Sequence, residues 1–275
     1  MKSSLIASLL FIALTSLAYA QDLPSPSVGW SGDAKAECFY NDDGEFVLIG
    51  EFGEQARLCF ATTYKKGTQV IRVDSEGGQA STGLSLAYRL RDEKFHLIIV
   101  NKCNSSCALY LIPAANEVSL TKNAGIVLHG SFSDLKLNKK MKQETIQASL
   151  ERGQSKSEAK NEYRELKKYT KRQIKASEDH KDVYNIGDGW FMQAGSWSTN
   201  ADKDPIKEGA LNWMQDNKTN GLLVDRLFFE TCLPDVKINT FYGPSHSEHL
   251  NNPAFQERIK TAKLAVLPNA QCLPQ

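Results

Sequence analysis

The chain has 275 residues, enough for one large or two small domains with a substantial core. Its 33 Lys and Arg residues nearly balance 32 Asp and Glu residues. This balance argues against nucleic acid or anionic lipid as a partner, since neither would be recruited by overall charge.

Residues 1–20 predict a secretory signal peptide. They contain the charged Lys2, an apolar run over residues 5–17 and the small-residue triplet Ala-Tyr-Ala at 18–20. Signal peptidase recognises this layout, and the run is too short for a comfortable membrane span. We therefore expect a mature protein that begins at Gln21, is periplasmic or secreted, and has no membrane contact after cleavage.

All six cysteines lie beyond the signal peptide, where exported proteins commonly form disulfides. Six cysteines allow fifteen pairings, and the sequence alone does not choose among them. Proximity along the chain favours three bonds: Cys38–Cys59, Cys103–Cys107 and Cys232–Cys272.

A metal site is the weaker interpretation of the same cysteines. Cys103 and Cys107 lack a second Cys or His pair at zinc-like spacing. His246 and His249 are closely spaced, but a metal would require a carboxylate such as Glu248 or Glu257 to join them. We predict no metal.

Residues 21–135 are expected to form an α/β core, because apolar β-branched runs alternate with segments of helical spacing. This alternation favours a mostly parallel sheet covered by helices. The predicted elements are strands at 46–50, 70–74, 97–100 and 125–129, helices at 54–65 and around 80–90, and a helix start at 107–112.

Residues 136–182 predict a long charged helical arm with only a thin apolar stripe. Gly153 interrupts the pattern, and Ser155 with Glu158 forms a capping box that restarts the helix. Acidic and basic residues are interleaved, so we expect a solvated helix rather than a nucleic-acid or membrane surface.

Residues 183–275 predict an aromatic, irregular region that completes the domain. A strand is expected at 222–229, and the tail is expected to be held by the Cys232–Cys272 disulfide. Neither a repeat nor a low-complexity segment is evident in the sequence.

Three polar features follow predicted strands, at the sheet edge where α/β proteins bind ligands. Residues 75–78 read Ser-Glu-Gly-Gly, residues 103–108 read Cys-Asn-Ser-Ser-Cys-Ala, and His129 ends the last predicted strand. A glycine pair lets backbone N–H groups approach a developing oxyanion. A serine at a strand-to-helix turn is a candidate nucleophile, and a histidine supplies its base.

Together and in this order, these features resemble the Clp peptidase and crotonase superfamily, particularly its exported, periplasmic Clp-like branch. The resemblance covers residues 46–132 and lies in VIRVDSEGGQASTGLSLAYRLRDE, IIVNKCNSSCALYLIPAA and GIVLHGSF. It implies a Clp-like fold with a projecting, handle-like helix.

The resemblance also implies the roles of individual residues. Ser106 matches the nucleophile, with Ser105 as the alternative, and His129 matches the general base. The N–H groups of Gly78 and Cys107 match the oxyanion donors. The mechanism would be acyl transfer to the serine on a peptide or other acyl substrate, followed by hydrolysis, without a metal or cofactor.

The third triad member is less clear from the resemblance. The family carries an Asp after its handle helix, and Asp182 is our choice among Asp179, Asp182 and Asp188. Glu76 departs from the family pattern, which has a proline there, and brings a carboxylate close to the expected oxyanion hole.

Two other functions are compatible with the sequence. One is a catalytically inactive Clp-like binding or assembly module, since fold does not imply function. The other is crotonase-type thioester chemistry, which export disfavours because coenzyme A substrates are expected inside the cell. The polarity of the arm favours a monomer or small oligomer over a closed proteolytic barrel.

Overall fold

The described strands form one mixed nine-stranded sheet. The computed structural model describes residues 35–122, 124–128, 139–191, 221–242, 253, 264–266 and 272. The strands are β1 (Ala36–Tyr40), β2 (Phe46–Gly50), β3 (Val70–Ser75), β4 (His96–Asn104), β5 (Glu117–Leu120), β6 (Gly125–Leu128), β7 (Gly221–Leu223), β8 (Lys237–Thr240) and β9 (Leu264–Val266).

The helices connect and cover the strands. They are α1 (Glu54–Thr63), α2 (Ala80–Arg89), a π-helix (Cys107–Leu111), α3 (Lys139–Glu151), α4 (Lys156–Val183), α5 (Asp188–Phe191) and α6 (Arg226–Cys232).

The sheet is parallel at its centre and antiparallel in two places. Strands β2, β3, β4 and β6 are neighbours in parallel, β5 and β8 continue in parallel from β4, and β7 pairs with β9 in parallel. Strand β1 runs antiparallel to β2, and β7 runs antiparallel to β6. The predicted α/β class with a mostly parallel sheet is confirmed at this level.

Strand β4 pairs with a different strand along each of its halves, and the change of partner lies next to the candidate site. Its first half, from His96 to Ile99, pairs with β5, and its second half, from Lys102 to Asn104, pairs with β6. The register against β3 shifts between these halves, since Val73 faces Ile99 but Ser75 faces Cys103. The bend brings residues 103–106 beside the end of β3.

The charged arm consists of two helices, and the predicted break lies between them. Gly153 has a φ of 84°, a left-handed conformation that favours glycine. Ser155 caps α4, and the reciprocal bonds with Glu158 form the expected capping box.

The sequence predicts a solvated arm with a thin apolar stripe, and in the structure one face of α4 is buried. Tyr110 bonds to Ser177, with 3.0 Å between their hydroxyl oxygens, and the Tyr184 hydroxyl donates to the Ala87 carbonyl. Most residues of this face are polar or small, so the hydropathy pattern predicts that the face is exposed. The buried residues are Ala159, Tyr163, Thr170, Gln173, Ser177 and His180.

The strand expected at 222–229 is correct only in its first part. Strand β7 ends at Leu223, and helix α6 begins at Arg226. Asp225 caps the helix by accepting a hydrogen bond from the Arg226 N–H. The sequence analysis missed this helix start because Asp225 lies within an otherwise apolar run.

All three predicted disulfides are present. The Cα–Cα distances are 5.5 Å for Cys38–Cys59, 5.2 Å for Cys103–Cys107 and 4.9 Å for Cys232–Cys272. Disulfides of this number are compatible with an extracytoplasmic protein. Among the described helices, none has the length and apolarity to cross a bilayer. The predicted signal peptide, residues 1–20, lies outside the described residues.

Candidate active site

A glycine turn ends β3 and is fixed by Phe52. The Phe52 N–H donates to the Gly77 carbonyl at 2.7 Å, and the Gln79 N–H donates to the Phe52 carbonyl at 2.6 Å. Gly77 and Gly78 have φ angles of 83° and 140°, which only glycine adopts readily. Gly78 is partly exposed, and no described residue accepts a hydrogen bond from its N–H.

The serine turn ends β4 and leads directly into the π-helix. Ser105 has a φ of 53°, one of two positive values among the described non-glycine residues. Its N–H donates to the Val127 carbonyl and its carbonyl accepts from the Leu109 N–H, both at 2.8 Å. The Cys103–Cys107 disulfide spans the same turn. A left-handed residue at a strand-to-helix junction is the geometry of a nucleophile elbow.

The two turns lie in direct contact. A β-carbon built on Gly77 would lie 2.3 Å from the Asn104 carbonyl oxygen, 2.6 Å from the Ser105 β-carbon and 2.9 Å from the Ser106 nitrogen. Only a glycine fits this approach. The glycine turn therefore forms one wall beside Ser105 and the N–H that follows it.

The carboxylate of Glu76 is held by two neighbours. It forms an ion pair with Lys102 and accepts a hydrogen bond from the Asn104 side-chain amide at 2.7 Å. The Asn104 side-chain oxygen in turn accepts from the Val127 N–H at 3.1 Å. These contacts tie together the ends of β3, β4 and β6, and the Lys102 charge offsets the carboxylate predicted near the oxyanion hole.

The two serines of the turn have different surroundings. Ser106, the predicted nucleophile, is 2% exposed, and its hydroxyl is buried without a partner among the described residues. A β-carbon on Gly83 of α2 would lie 3.3 Å from that of Ser106. Ser106 thus points toward α2, although the nucleophile of such a turn should be exposed, whereas Ser105 is partly exposed.

Among the predicted base and acid candidates, Asp179 and Asp182 have described side chains. His129 lies outside the described residues, which reach Leu128 at the end of β6. Asp182 and Asp179 are exposed on α4, and Asp182 lies two residues from buried His180, about 200° around the helix. The side chain of Asp188 also lies outside the described residues, as do His246 and His249. The roles of these residues stay predictions.

The oxyanion donors predicted by the resemblance, Gly78 and Cys107, lie at the ends of the two turns. Cys107 is the first residue of the π-helix, where N–H groups lack acceptors within the helix. The N–H of Ser106, which follows Ser105, lies beside Gly77: a β-carbon built on Gly77 would be 2.9 Å from the Ser106 nitrogen. The Ser106 N–H is therefore a further candidate oxyanion donor.

His180 is a site candidate that the sequence ranks low, because it lies on a charged helix. It is 7% exposed, its ring lies 5.5 Å from that of Tyr110, and its Nε2 atom has no partner among the described residues. Burial lowers the pKa of His180 to about 3, and a hydrogen bond to the Tyr110 backbone opposes this shift only in part. The histidine is therefore neutral at physiological pH. Its position on a charged helix gave no signal of burial.

Four buried side-chain atoms lack partners on the described faces of α4 and the serine turn. They are Nε2 and Oε1 of Gln173, Nε2 of His180 and Oγ of Ser106. Each unsatisfied buried polar atom costs about 1–3 kcal/mol, against a net stability of about 5–15 kcal/mol for a typical protein. Buried water commonly satisfies such atoms, so they do not by themselves require a ligand.

No groups of three or more His, Cys, Asp or Glu residues that could hold a metal ion are found within the described ranges. In comparisons with known proteins, no family model matches this chain, and no match is found among curated proteins.

Proposed function

We propose that the protein is an exported serine hydrolase with a Clp-like core, which acts on peptides or other acyl substrates. The observation that carries the proposal is the conformation of Ser105 at the strand-to-helix turn. A left-handed serine, clamped by a disulfide and facing a glycine turn, has the backbone geometry expected of an acyl-transfer nucleophile.

Accessibility favours Ser105 over Ser106 as the nucleophile. An attacking hydroxyl must reach a substrate carbonyl, and the Ser106 hydroxyl is buried in this conformation. Ser105 is partly exposed and has a φ in the left-handed region. We therefore assign the attack to Ser105 and retain Ser106 as the alternative.

In the proposed mechanism, the Ser105 hydroxyl attacks the substrate carbonyl carbon and passes its proton to His129. The N–H groups of Gly78 and Ser106 stabilise the oxyanion; if Ser106 attacks instead, the following donor is Cys107. His129 then protonates the leaving group. Water, deprotonated by His129, attacks the acyl-enzyme and releases the acid.

A fluorophosphonate probe tests the proposal and the choice of serine. We expect the mature protein to be labelled, Ser105→Ala and His129→Ala to lose labelling, and Ser106→Ala to retain most of it. Ser119→Ala, on β5, is the matched control for a serine elsewhere in the sheet. Circular dichroism of each variant verifies folding.

Each alternative has its own outcome in this experiment. Loss of labelling in Ser106→Ala but not in Ser105→Ala would transfer the role to Ser106. Absence of labelling in the folded mature protein would favour the non-catalytic binding or assembly module, which the burial of the Ser106 hydroxyl also supports. Tight binding of acyl coenzyme A would instead support thioester chemistry.

A further inference from the structure

One flank of helix α4 carries only basic side chains over about four turns. With about 100° per residue, the buried residues of α4 lie within about 60° of Ser177 around the helix axis. Among residues 160–175, every position about 80° to 180° from Ser177 in one direction is an exposed Lys or Arg. We call these residues the basic face: Lys160, Arg164, Lys167, Lys168, Lys171 and Lys175.

The acidic residues of the same stretch lie on the opposite flank of α4. Glu158, Glu162 and Glu165 lie about 60° to 120° from Ser177 in the other direction. Acidic and basic residues alternate along the sequence, but they are separated around the helix. The folded helix therefore presents a cationic surface that the order of residues in the chain does not reveal.

Most cations of the basic face are not neutralised by described residues. Lys168 forms an ion pair with Glu165 at 2.9 Å, and Arg172 and Arg164 act on the same carboxylate through their charges. The other four lysines of the basic face form no hydrogen bond or ion pair with a described residue. Like charges spaced three and four residues apart destabilise a helix, so a bound polyanion would relieve this repulsion.

The composition of the basic face discriminates among anionic partners. It lacks an aromatic ring on which the bases of single-stranded nucleic acid could stack, and it lacks an apolar side chain that could enter a bilayer. Five of its six residues are Lys, a residue depleted in protein–protein interfaces. A flexible acidic polysaccharide requires only a row of accessible cations.

We propose that the basic face of α4 binds an acidic polysaccharide, a flexible chain that carries carboxylate or sulfate groups. The cations extend over about 22 Å of the helix axis, so one polymer chain can contact several of them at once. The 33 basic and 32 acidic residues of the whole chain nearly cancel, so the attraction must come from this local array. Binding is independent of the proposed serine chemistry, because these side chains point away from the buried face of α4.

Calorimetry with heparin as the probe tests the proposal on the mature protein at a series of salt concentrations. Six contacts to a flexible polyanion should give a slope of about −4 in log association constant against log salt concentration. Lys167→Gln/Lys171→Gln/Lys175→Gln leaves three cations on the face. We expect this variant to have a slope of about −2 and to bind heparin more than about tenfold more weakly in 50 mM salt.

A second triple variant is the matched control. Lys65→Gln/Lys66→Gln/Lys94→Gln removes the same number of charges from exposed positions outside α4. It should keep both the affinity for heparin and the slope of the parent protein. Circular dichroism verifies that both variants are folded, and uncharged dextran should not bind to any of the three proteins.

Three outcomes would overturn the inference. The first is absence of heparin binding by the folded parent protein in 50 mM salt, and the second is equal weakening by the two triple variants. The third is tighter binding of oligothymidylate or of anionic phospholipid vesicles than of heparin, which would assign the basic face to nucleic acid or to a membrane surface.

Discussion

Gly77 and Ser105 face each other at the edge of the sheet, with room for a hydrogen atom but not for a methyl group between them. A β-carbon on Gly77 would lie 2.6 Å from the β-carbon of Ser105. The glycine turn after β3 therefore holds the serine turn after β4 in place. The proposed chemistry depends on this contact.

Replacing Gly77 with alanine tests the contact directly. We expect Gly77→Ala to lose fluorophosphonate labelling, because the methyl group displaces the Ser105 turn, and to lose several kcal/mol of unfolding free energy from strain and steric overlap together.

Gly67→Ala is the matched control, since Gly67 has a φ of 86° but no atom within 4 Å of a built β-carbon. Gly67→Ala should lose only about 1–2 kcal/mol of unfolding free energy, the cost of the left-handed backbone conformation, and should keep its labelling. Equal effects of the two substitutions would show that the contact with Ser105 has no special role.

Removal of one disulfide should mainly lower stability, and removal of another should mainly reduce fluorophosphonate labelling. The chain-entropy model assigns about 2 kcal/mol to the short loop closed by Cys103–Cys107 and about 4 kcal/mol to the longer loop closed by Cys232–Cys272. We expect Cys232→Ala/Cys272→Ala to lower the denaturation midpoint more, and Cys103→Ala/Cys107→Ala to reduce labelling more. Labelling unchanged in the latter variant would contradict the clamping role.

Asn104 should contribute to the site through its two side-chain bonds. Asn104→Ala removes the bonds to Glu76 and to the Val127 N–H, leaving that backbone donor without its acceptor. We expect a loss of about 1–3 kcal/mol in unfolding free energy and a reduced rate of labelling.

Asn101→Ala provides the comparison, since Asn101 is exposed and its side chain bonds to Asp74. If both substitutions slow labelling equally, the effect does not arise from the serine turn.

The burial of His180 predicts how stability depends on pH. Its pKa in the folded protein is about 3, below the 6.5 of an exposed histidine, so between these values the unfolded chain binds the proton and the folded protein does not. Stability should therefore be unaffected by this group above pH 6.5 and fall by about 1.4 kcal/mol per pH unit as pH decreases toward 3.

His180→Phe isolates this contribution in urea titrations at pH 7, 6, 5 and 4, because the variant lacks the titration. The titratable side chains packed on the His180 ring, Tyr110 and Tyr184, have pKa values raised to about 12 by burial and stay neutral. Parallel pH profiles of variant and parent would show that the pKa of His180 is the same in the folded and unfolded states, which contradicts the prediction.

Several local features could be predicted from the sequence because short-range chemistry determines them. The capping box at Ser155, the break at Gly153 and strand β2 depend on residues within one turn or one strand. Each disulfide joins two cysteines that are consecutive cysteines in the sequence. Strand β1 and the α6 cap were missed, since edge strands and short helices carry weak periodicity.

The sequence by itself determined the α/β core and the two polar turns that follow β3 and β4, and proximity along the chain favoured the three disulfide pairs that the structure contains. These depend on the periodicity of apolar residues and on glycine and cysteine at fixed positions. Only the tertiary structure decided that Gly77 contacts Ser105, that the Ser106 hydroxyl is buried and that Gln173 and His180 lie inside the protein. The register shift of β4 and the packing of α4 on α2 bring together residues distant in the chain, and no local pattern encodes such contacts.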